Sequence, residues 1–217
     1  MTTLQRDVLA AETQTAGHGR QGKAWISEKP LGLWVSLLLE TSPSHLPLLS
    51  LLGSLAAADA VRTLTRLEPS LKWPNDLLLQ NRKLAGLLVE TVSRKNQPPL
   101  ALLGLGLNLH HQASDFPTSL EKTAISLFQA SGQLIPRAQM LAAFLNSLAC
   151  RLLQPIPAAI QDGRNACLQL GQTLTLRFGS TEITGVAETL DERGHLHLRL
   201  SDGSVRQFAS GETDFPA

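Results

Sequence analysis

The chain has 217 residues, of which 43% are hydrophobic and 17% are charged. This composition is typical of a folded globular protein and excludes a disordered one. The formal net charge of +1 excludes nucleic-acid binding through a general basic surface, so any bound anion must be held by local cations. The two cysteines exclude a disulfide framework and a paired-cysteine metal site. Residues 1–14 carry no signal-peptide core and the apolar runs are too short to span a membrane, which predicts a cytoplasmic protein.

The first part of the chain predicts strands and helices in succession. Residues 8–13 predict a short strand, and the glycine-rich residues 17–27 predict a loop. Residues 31–40 are almost continuously apolar and predict a buried strand. Apolar residues at helical spacing predict a helix over 46–67, which Pro69 ends.

The middle of the chain predicts a hairpin, a further strand and two further helices. Residues 71–80 and 83–92 predict the hairpin. Residues 101–109 predict a strand that contains glycines, and such glycines often mark the close approach of a ligand or another backbone. Helices are predicted over 136–153 and 158–167.

The composition changes near Gly171. From there, short runs of alternating apolar and polar residues are separated by tight turns, a pattern that favours a small β-barrel. We therefore predict two domains, residues 1–169 and residues 170–217.

The loop at residues 17–27 carries the most informative pattern. Gly17, Gly19 and Gly22 satisfy G-x-G-x-x-G, but a dinucleotide-binding fingerprint also needs a helix directly after it. Pro30 and the apolar strand follow too soon for that helix, so we reject the dinucleotide interpretation.

The same loop has the chemistry for binding phosphates. Glycines let backbone N–H groups approach an anion closely, and Arg20 and Lys23 add positive charge in the same segment. Trp25 offers a flat face on which a base can stack. A solvated surface loop explains these residues equally well.

Two further segments carry charged residues beside apolar runs. Lys72 and Asp76 lie close together, a pairing that suits Mg²⁺ with a triphosphate, although turn chemistry alone explains this segment and is favoured when it is taken by itself. Lys83 begins a mostly apolar strand, from which it can meet a carboxylate or an α-phosphate. An exposed lysine after a turn is the commoner case.

Taken together, these segments resemble the biotin protein ligases. The loop is similar to their signature Q-x-A-G-R-G-R-x-G-R-x-W, and its matching residues are Gln14, Ala16, Gly17, Gly19, Arg20, Gly22 and Trp25. His18 and Lys23 stand where arginines are usual. We expect weaker phosphate binding at that edge, because Lys23 lacks the guanidinium fork and a histidine can be neutral at pH 7.

The remaining segments follow in the family's order and extend the resemblance over nearly the whole chain. They are Lys72-Trp73-Pro74-Asn75-Asp76 for K-W-P-N-D, Lys83-Leu84-Ala85-Gly86 for K-L-A-G, and Gly104-Leu105-Gly106-Leu107-Asn108 for G-x-G-x-N. The residues from 170 onward, which include Ser210-Gly211-Glu212, are loosely similar to the family's small C-terminal domain.

The resemblance implies a fold and an activity. The fold is α+β, with a mixed β-sheet and packed helices like the catalytic domain of class II synthetases, over residues 1–169, and an SH3-like small β-barrel over residues 170–217. The activity uses ATP and Mg²⁺ to form biotinyl-5′-AMP from the substrate biotin. It then transfers biotin to a lysine of the biotin carboxyl carrier protein domain of acetyl-CoA carboxylase.

The resemblance also implies the site residues. It assigns catalysis to Arg20 and Lys83, and a metal to Asp76. The biotin-binding residues are Gln14, Gly17, His18, Gly19, Arg20, Lys83, Gly86 and Gly104. The residues that bind ATP and the adenylate are Gln21, Lys23, Trp25, Lys72, Asn75 and Asn108.

Biotin ligases of this type carry a Ser-Thr-Asn segment before the loop, which holds the ureido ring of biotin. We find no counterpart to it and expect a start assigned too late, a defective protein or a substitute biotin contact. We also expect a monofunctional form that lacks the DNA-binding domain of bifunctional relatives, with no DNA or membrane partner. A homodimer stays open.

Two alternatives remain at this stage. A lipoate or octanoate ligase shares the fold, but the loop and the K-W-P-N-D segment fit biotin better. A truncated, non-catalytic module that binds biotinyl-adenylate or the carrier domain is the alternative from another functional class.

Overall fold

A computed structural model of the chain describes residues 4–27, 29–97 and 99–214. The strands of the first sheet are β1 (Leu4–Ala11), β2 (Gly32–Glu40), β3 (Ser70–Lys72), β4 (Asp76–Leu79), β5 (Arg82–Val92) and β6 (Leu100–Asn108). The helices are α1 (Leu49–Thr65), α2 (Leu127–Ser131), α3 (Arg137–Leu153) and α4 (Ile156–Ala166). The strands of the second sheet are β7 (Thr173–Phe178), β8 (Thr181–Leu190), β9 (Leu196–Arg199), β10 (Val205–Phe208) and β11 (Glu212–Thr213).

The two sheets follow one another along the chain. The first has the strand order β1-β2-β6-β5-β4-β3, and the second has the order β10-β9-β8-β7-β11. The paired strands of the described residues run antiparallel, and isolated parallel bridges join Leu71 to Cys167 and Lys83 to Ala124. The predicted α+β class, with a small C-terminal sheet domain, is confirmed. The first three and last three residues of the predicted domain ranges lie outside the described residues.

Several predicted elements have different bounds in the structure. The predicted helix 46–67 begins as a 3₁₀ turn at Leu46–Leu48, and the α-helix ends before Arg66, which has a φ of 61°. The predicted strand 71–80 divides into β3 and β4, because Pro74 has no N–H for a ladder and the chain turns there. The predicted strand 8–13 lies earlier, at Leu4–Ala11.

One face of the first sheet packs on the helices. Side chains alternate along each strand, so Leu37, Leu39 and Leu103 point into the core and are fully buried. The expectation that every apolar run is too short to span a membrane was wrong for Leu46–Thr65, which is long and apolar enough by length and composition; however, 67% of an 18-residue part of it is buried inside the fold. It is therefore the central helix of the core, and the opposite face of the sheet is left for the site.

A buried glutamine joins the two sheets. Gln169 is 0% exposed; its Oε1 accepts the backbone N–H of Trp73 at 2.5 Å, and its Nε2 donates to Thr213 Oγ1 at 2.8 Å. The indole N–H of Trp73 donates to the carbonyl of Gly194 at 3.0 Å. These bonds hold the second sheet against the β3–β4 turn and bring its last strand to the open face of the first sheet.

Candidate active site

The open face of the first sheet has a floor made of glycines. Gly86 of β5 pairs directly with Gly106 of β6, and Gly104 lies two residues before it on the same face. Since these positions carry no side chain, a cavity of about 390 Å³ opens above them. We call this cavity the main pocket, and its size is within the range of small-molecule sites.

The glycine-rich loop folds over the main pocket as a small hairpin. Gly17 and Trp25 are joined by a backbone hydrogen bond of 2.9 Å, and Gly19 and Lys23 by one of 2.7 Å. A Cβ on Gly17 would lie 2.6 Å from the carbonyl oxygen of Trp25, so only glycine fits there. At the tip, Gly22 has a φ of 72°, which glycine adopts without strain.

The Trp25 ring lies directly against the glycine floor. A Cβ on Gly106 would lie 2.4 Å from its ring, and a Cβ on Gly86 would lie 3.1 Å from it. The Trp25 ring also meets Trp34 edge-on, with centroids 6.2 Å apart. The absence of side chains at the two glycines therefore makes room for the aromatic ring of the loop.

Four cations and three carboxylates line the main pocket: Arg20, Lys23, Lys72 and Lys83, with Asp76, Glu90 and Glu212. Lys83 Nζ contacts Asp76 Oδ1 at 2.8 Å and lies 5.4 Å from the centroid of the Trp25 ring. Arg20 donates to Asn75 Oδ1 at 3.2 Å. Asn75 is itself fixed by β5, because its Nδ2 donates to the carbonyl of Leu87 at 2.5 Å. Lys72 lines the same cavity.

Burial affects the electrostatics of this cluster. Desolvation lowers the pKa of Lys72 from its ordinary value, and the negative charge of Asp76 partly opposes the change. Desolvation also lowers the pKa of Arg20, against the charges of Asp76 and Glu212. Partly desolvated cations attract an anion more strongly than the same groups in water, so the pocket is suited to phosphate or carboxylate.

The second sheet contributes to the closed loop. Lys23 Nζ contacts Glu212 Oε1 at 2.6 Å, and Arg20 donates to the carbonyl of Gly211 at 3.4 Å. These contacts join residues about 190 positions apart in the sequence. The loop is thus held from below by the floor and from the side by β11.

We expect Glu212→Gln to make the loop more accessible to trypsin. The Lys23–Glu212 pair is partly exposed, so its loss should raise cleavage at Arg20 or Lys23 only about two- to fivefold. The measurement is limited trypsin digestion with mass spectrometry of the fragments. Glu182→Gln, which breaks the exposed Arg177–Glu182 pair of the second sheet, is the matched control. Equal loop cleavage in both variants would show that Glu212 does not hold the loop.

A smaller cavity of about 150 Å³ adjoins the main pocket. We call it the side pocket; Trp25 and Lys83 line both cavities, and Asn108 and His111 line the side pocket alone. His111 is 7% exposed and stacks on Phe116 with ring centroids 4.8 Å apart. Burial lowers the pKa of His111 to about 4, so its ring is neutral at pH 7.

The buried His111 should make the folded protein less stable in acid. Its pKa is about 4 when folded and about 6.5 when unfolded. The unfolded chain therefore binds the extra proton first, and stability is lost as the pH falls from about 6.5 towards about 4. We expect a loss on the order of 2 kcal/mol over that window. Urea unfolding of the native chain and of His111→Gln at pH 7 and pH 5 measures it; an identical pH dependence in both proteins would contradict the assignment.

The comparisons with known proteins agree with this geometry. Residues 3–108 match the biotin/lipoate A/B protein ligase family, and residues 170–215 match the biotin protein ligase C terminal domain. A biotin–[acetyl-CoA-carboxylase] ligase of Mycobacterium tuberculosis is 30% identical over 208 residues, which cover 91% of this chain and 75% of that protein. The chain belongs to the biotin protein ligase family.

Other members of the family extend the match. The bifunctional ligase/repressor BirA of Bacillus spizizenii is 30% identical over 209 residues, which cover 94% of this chain and 64% of that relative. The chain thus spans just under two thirds of that relative's length. The biotin protein ligase from Aquifex aeolicus in complex with biotin and ATP superposes with a TM-score of 0.81 at 28% identity, covering 95% of this chain and 87% of the other.

The structure brings almost all of the sequence-predicted family residues together. Those that line the main pocket are Gln14, His18, Gly19, Arg20, Gln21, Lys23, Trp25, Lys72, Asn75, Asp76, Lys83, Gly86 and Gly104. Gly17 is not among the lining residues. It lies inside the loop hairpin, where the carbonyl of Trp25 leaves no room for a side chain. Asn108 lies beyond Trp25, in the side pocket, where its amide donates to the carbonyls of Lys83 and Ile125.

Sequence reasoning missed His111, Glu212 and Gln169 as contributors to the site. Glu212 was noted only as part of a loose family match, and its contact with Lys23 depends on the packing of two separate sheets. His111 follows the end of β6 in a segment with no motif. The sequence offered one signal for the region around His111. Gly106, in G-x-G-x-N, predicted that a ligand or another backbone approaches the strand that precedes His111.

Proposed function

We propose that this chain is an ATP-dependent ligase that forms biotinyl-5′-AMP and transfers biotin to a lysine of a biotin carboxyl carrier protein domain of acetyl-CoA carboxylase. The observation that carries the proposal is the convergence of Arg20, Lys72 and Lys83 on one glycine-floored pocket beneath a closed loop. Family membership supports the same activity. It favours the ligase over a binding-only module, since the matched relatives include biotin–[acetyl-CoA-carboxylase] ligases.

The first half-reaction joins two anions. A carboxylate oxygen of biotin forms a bond to the α-phosphorus of ATP, and the bond from that phosphorus to pyrophosphate breaks. The carboxylate and the triphosphate repel each other, so cations must hold them in line. Arg20 and Lys83 neutralise the carboxylate and the α-phosphate, and Lys72 and Lys23 neutralise the remaining phosphates.

The second half-reaction needs the same closed pocket. The amine of the carrier lysine attacks the carbonyl carbon of the mixed anhydride, the carbon–oxygen bond to AMP breaks, and the amine loses a proton. Water competes with the amine for that carbonyl. The hairpin of residues 17–25, held by the floor and by Glu212, keeps water away from the adenylate.

We assign biotin and the adenosine of ATP to different ends of the pocket. Biotin is assigned to the end bounded by Gly86, Gly104 and Gln14. There the glycines leave the floor free of side chains, and Leu88 adds an apolar wall. We assign the adenosine to Trp25, Asn75 and the side pocket with Asn108.

A magnesium ion fits this arrangement through Asp76. Mg²⁺ is usually held by one or two carboxylates together with substrate phosphates, and Asp76 is a carboxylate at the pocket wall beside the proposed phosphate position. When bound, the ion would neutralise triphosphate charge there.

We propose that residues 1–169 form the catalytic domain and residues 170–217 a small domain that holds the loop closed. A biotin carboxyl carrier domain is the partner in the second half-reaction, in the cytoplasm. The net charge of +1 supports a partner other than DNA or a membrane surface. A homodimer is compatible with this proposal.

Arg20→Ala tests the proposal. We expect a drop of about a hundredfold or more in biotin-dependent pyrophosphate release, or release of free biotinyl-adenylate into solution. Both are measured by a coupled pyrophosphate assay with chromatography of the adenylate. Arg206→Ala, which changes an exposed arginine of β10, is the control. Normal pyrophosphate release with normal adenylate retention in Arg20→Ala would contradict the assignment.

A further inference from the structure

The side pocket is placed to receive the base of a nucleotide whose phosphates lie in the main pocket. Trp25, Ala24 and Lys83 line both cavities, so the two are separated by little more than one side chain. Apart from the shared residues, the walls of the side pocket are mostly apolar, with Phe116, Leu120 and Ala124 among them. A flat, mostly apolar base with a few polar edge atoms suits such walls.

Asn108 presents an oxygen acceptor to this pocket. Its Nδ2 donates to the carbonyl of Ile125 at 3.2 Å and to the carbonyl of Lys83 at 3.4 Å. Both amide hydrogens are therefore in use, and this fixes which way the amide points. The Oδ1 atom has no donor among the described residues, so it is available to a ligand.

His111 lines the same pocket. The ring is neutral at pH 7, because burial lowers its pKa to about 4, and it therefore carries one N–H. Its Nδ1 is buried without a hydrogen-bond partner among the described residues. A buried N–H without a partner is rarer in proteins than a buried acceptor without one. We therefore assign the hydrogen to Nε2, which leaves a lone pair on Nδ1.

An acceptor on Asn108 and a donor on His111, two residues that line the side pocket together, match only some bases. Adenine has a 6-amino donor next to a ring-nitrogen acceptor, on either edge of the base. Guanine and hypoxanthine carry a 6-oxo acceptor in place of the amino group, which would face Asn108 Oδ1 lone pair to lone pair. We propose that His111 is a specificity-determining residue that selects 6-aminopurine nucleotides by donating from Nε2 to a ring nitrogen of the base.

This inference rests on the proposed function, because it takes ATP as the nucleotide of the main pocket. The first test uses the unmutated protein. Calorimetric titration compares ATP with GTP, ITP, 1-deaza-ATP and 7-deaza-ATP. We expect the two 6-oxo nucleotides to bind about tenfold more weakly or worse, and one of the two deaza analogues to lose about tenfold. That analogue identifies the ring nitrogen that His111 contacts.

The second test combines ligand and protein changes. His111→Phe keeps the aromatic stacking on Phe116 but removes the donor, so we expect it to bind ATP about tenfold more weakly, with no further loss for the sensitive deaza analogue. His111→Gln restores a donor and should recover part of the affinity. His110→Phe is the matched control, because His110 contacts the carbonyl of Ile135 outside the side pocket. Melting curves establish that each variant is folded.

The outcomes separate this inference from the proposed function. Equal ATP affinity in His111→Phe and the native chain, or an undiminished deaza effect in His111→Phe, overturns the inference even when biotinyl-adenylate forms normally. Selectivity that depends on His111, in a protein that releases no pyrophosphate with biotin, supports the inference and overturns the proposed function. Failure of the native chain to bind any of these nucleotides overturns both.

Discussion

Lys83→Gln is expected to slow biotinyl-adenylate formation by about a hundredfold or more. Lys83 reaches the pocket from the start of β5, held at 2.8 Å from Asp76 and beneath the Trp25 ring. Glutamine keeps most of the length of the side chain but not the charge that offsets two approaching anions. Since that charge matters most as the new bond forms, the loss should fall on kcat more than on KM.

The measurement is biotin-dependent pyrophosphate release under single-turnover and steady-state conditions. Lys95→Gln is the matched control, because Lys95 is exposed in the turn after β5 and lines neither pocket. We expect native rates from that control. A Lys83→Gln protein with an unchanged kcat would remove Lys83 from the catalytic group.

Gly106→Ala should be the most damaging single-methyl change in the floor of the pocket. The added Cβ would lie 2.4 Å from the Trp25 ring, too close for the ring to keep its place. Because the loop carries Arg20 and Lys23 as well as Trp25, lifting the ring also displaces the cations. A displacement of about 1 Å in a reacting site can cost about a hundredfold in rate, and we expect a loss of that order.

Gly86→Ala provides the graded comparison. Its added Cβ would lie 3.1 Å from the same ring, a contact that a small shift relieves, so we expect a clearly smaller loss. Adenylate formation and thermal unfolding are measured for both variants, so that a lost rate is not mistaken for a lost fold. Equal rates for Gly106→Ala and the native chain would show that the ring does not need the glycine floor.

The short segments were readable from the sequence because their chemistry is local. The loop offered phosphate-binding chemistry, Lys83 could meet a carboxylate or an α-phosphate, and the glycines in β6 predicted a ligand or backbone approaching the strand. The structure places all three segments around one cavity. The α+β class was implied by the family resemblance, and the predicted succession of apolar strands and helices agrees with it. Lys72 and Asp76 were harder to interpret, because turn chemistry explains both when the segment is taken alone.

The parts that could not be predicted depend on long-range packing. Lys23 and Glu212 meet because the second sheet packs against the first, where Gln169 and the Trp73 indole bond the two sheets together. Asn108 was expected among the residues that bind ATP and the adenylate, and the strand does present it on the open face. It nevertheless lies in the side pocket, because the Trp25 ring occupies the floor before it. The neutral ring of His111 depends on burial that no local pattern reveals.

The central claim is most directly tested by incubating the purified chain with ATP, Mg²⁺, biotin and a biotin carboxyl carrier domain. The mass of the carrier is followed by mass spectrometry, with a carrier whose acceptor lysine is replaced by arginine as control. We predict the addition of one biotinyl group, dependent on ATP and absent from the control carrier. An unmodified carrier and no biotinyl-adenylate, from a chain that binds both ATP and biotin, would contradict the account.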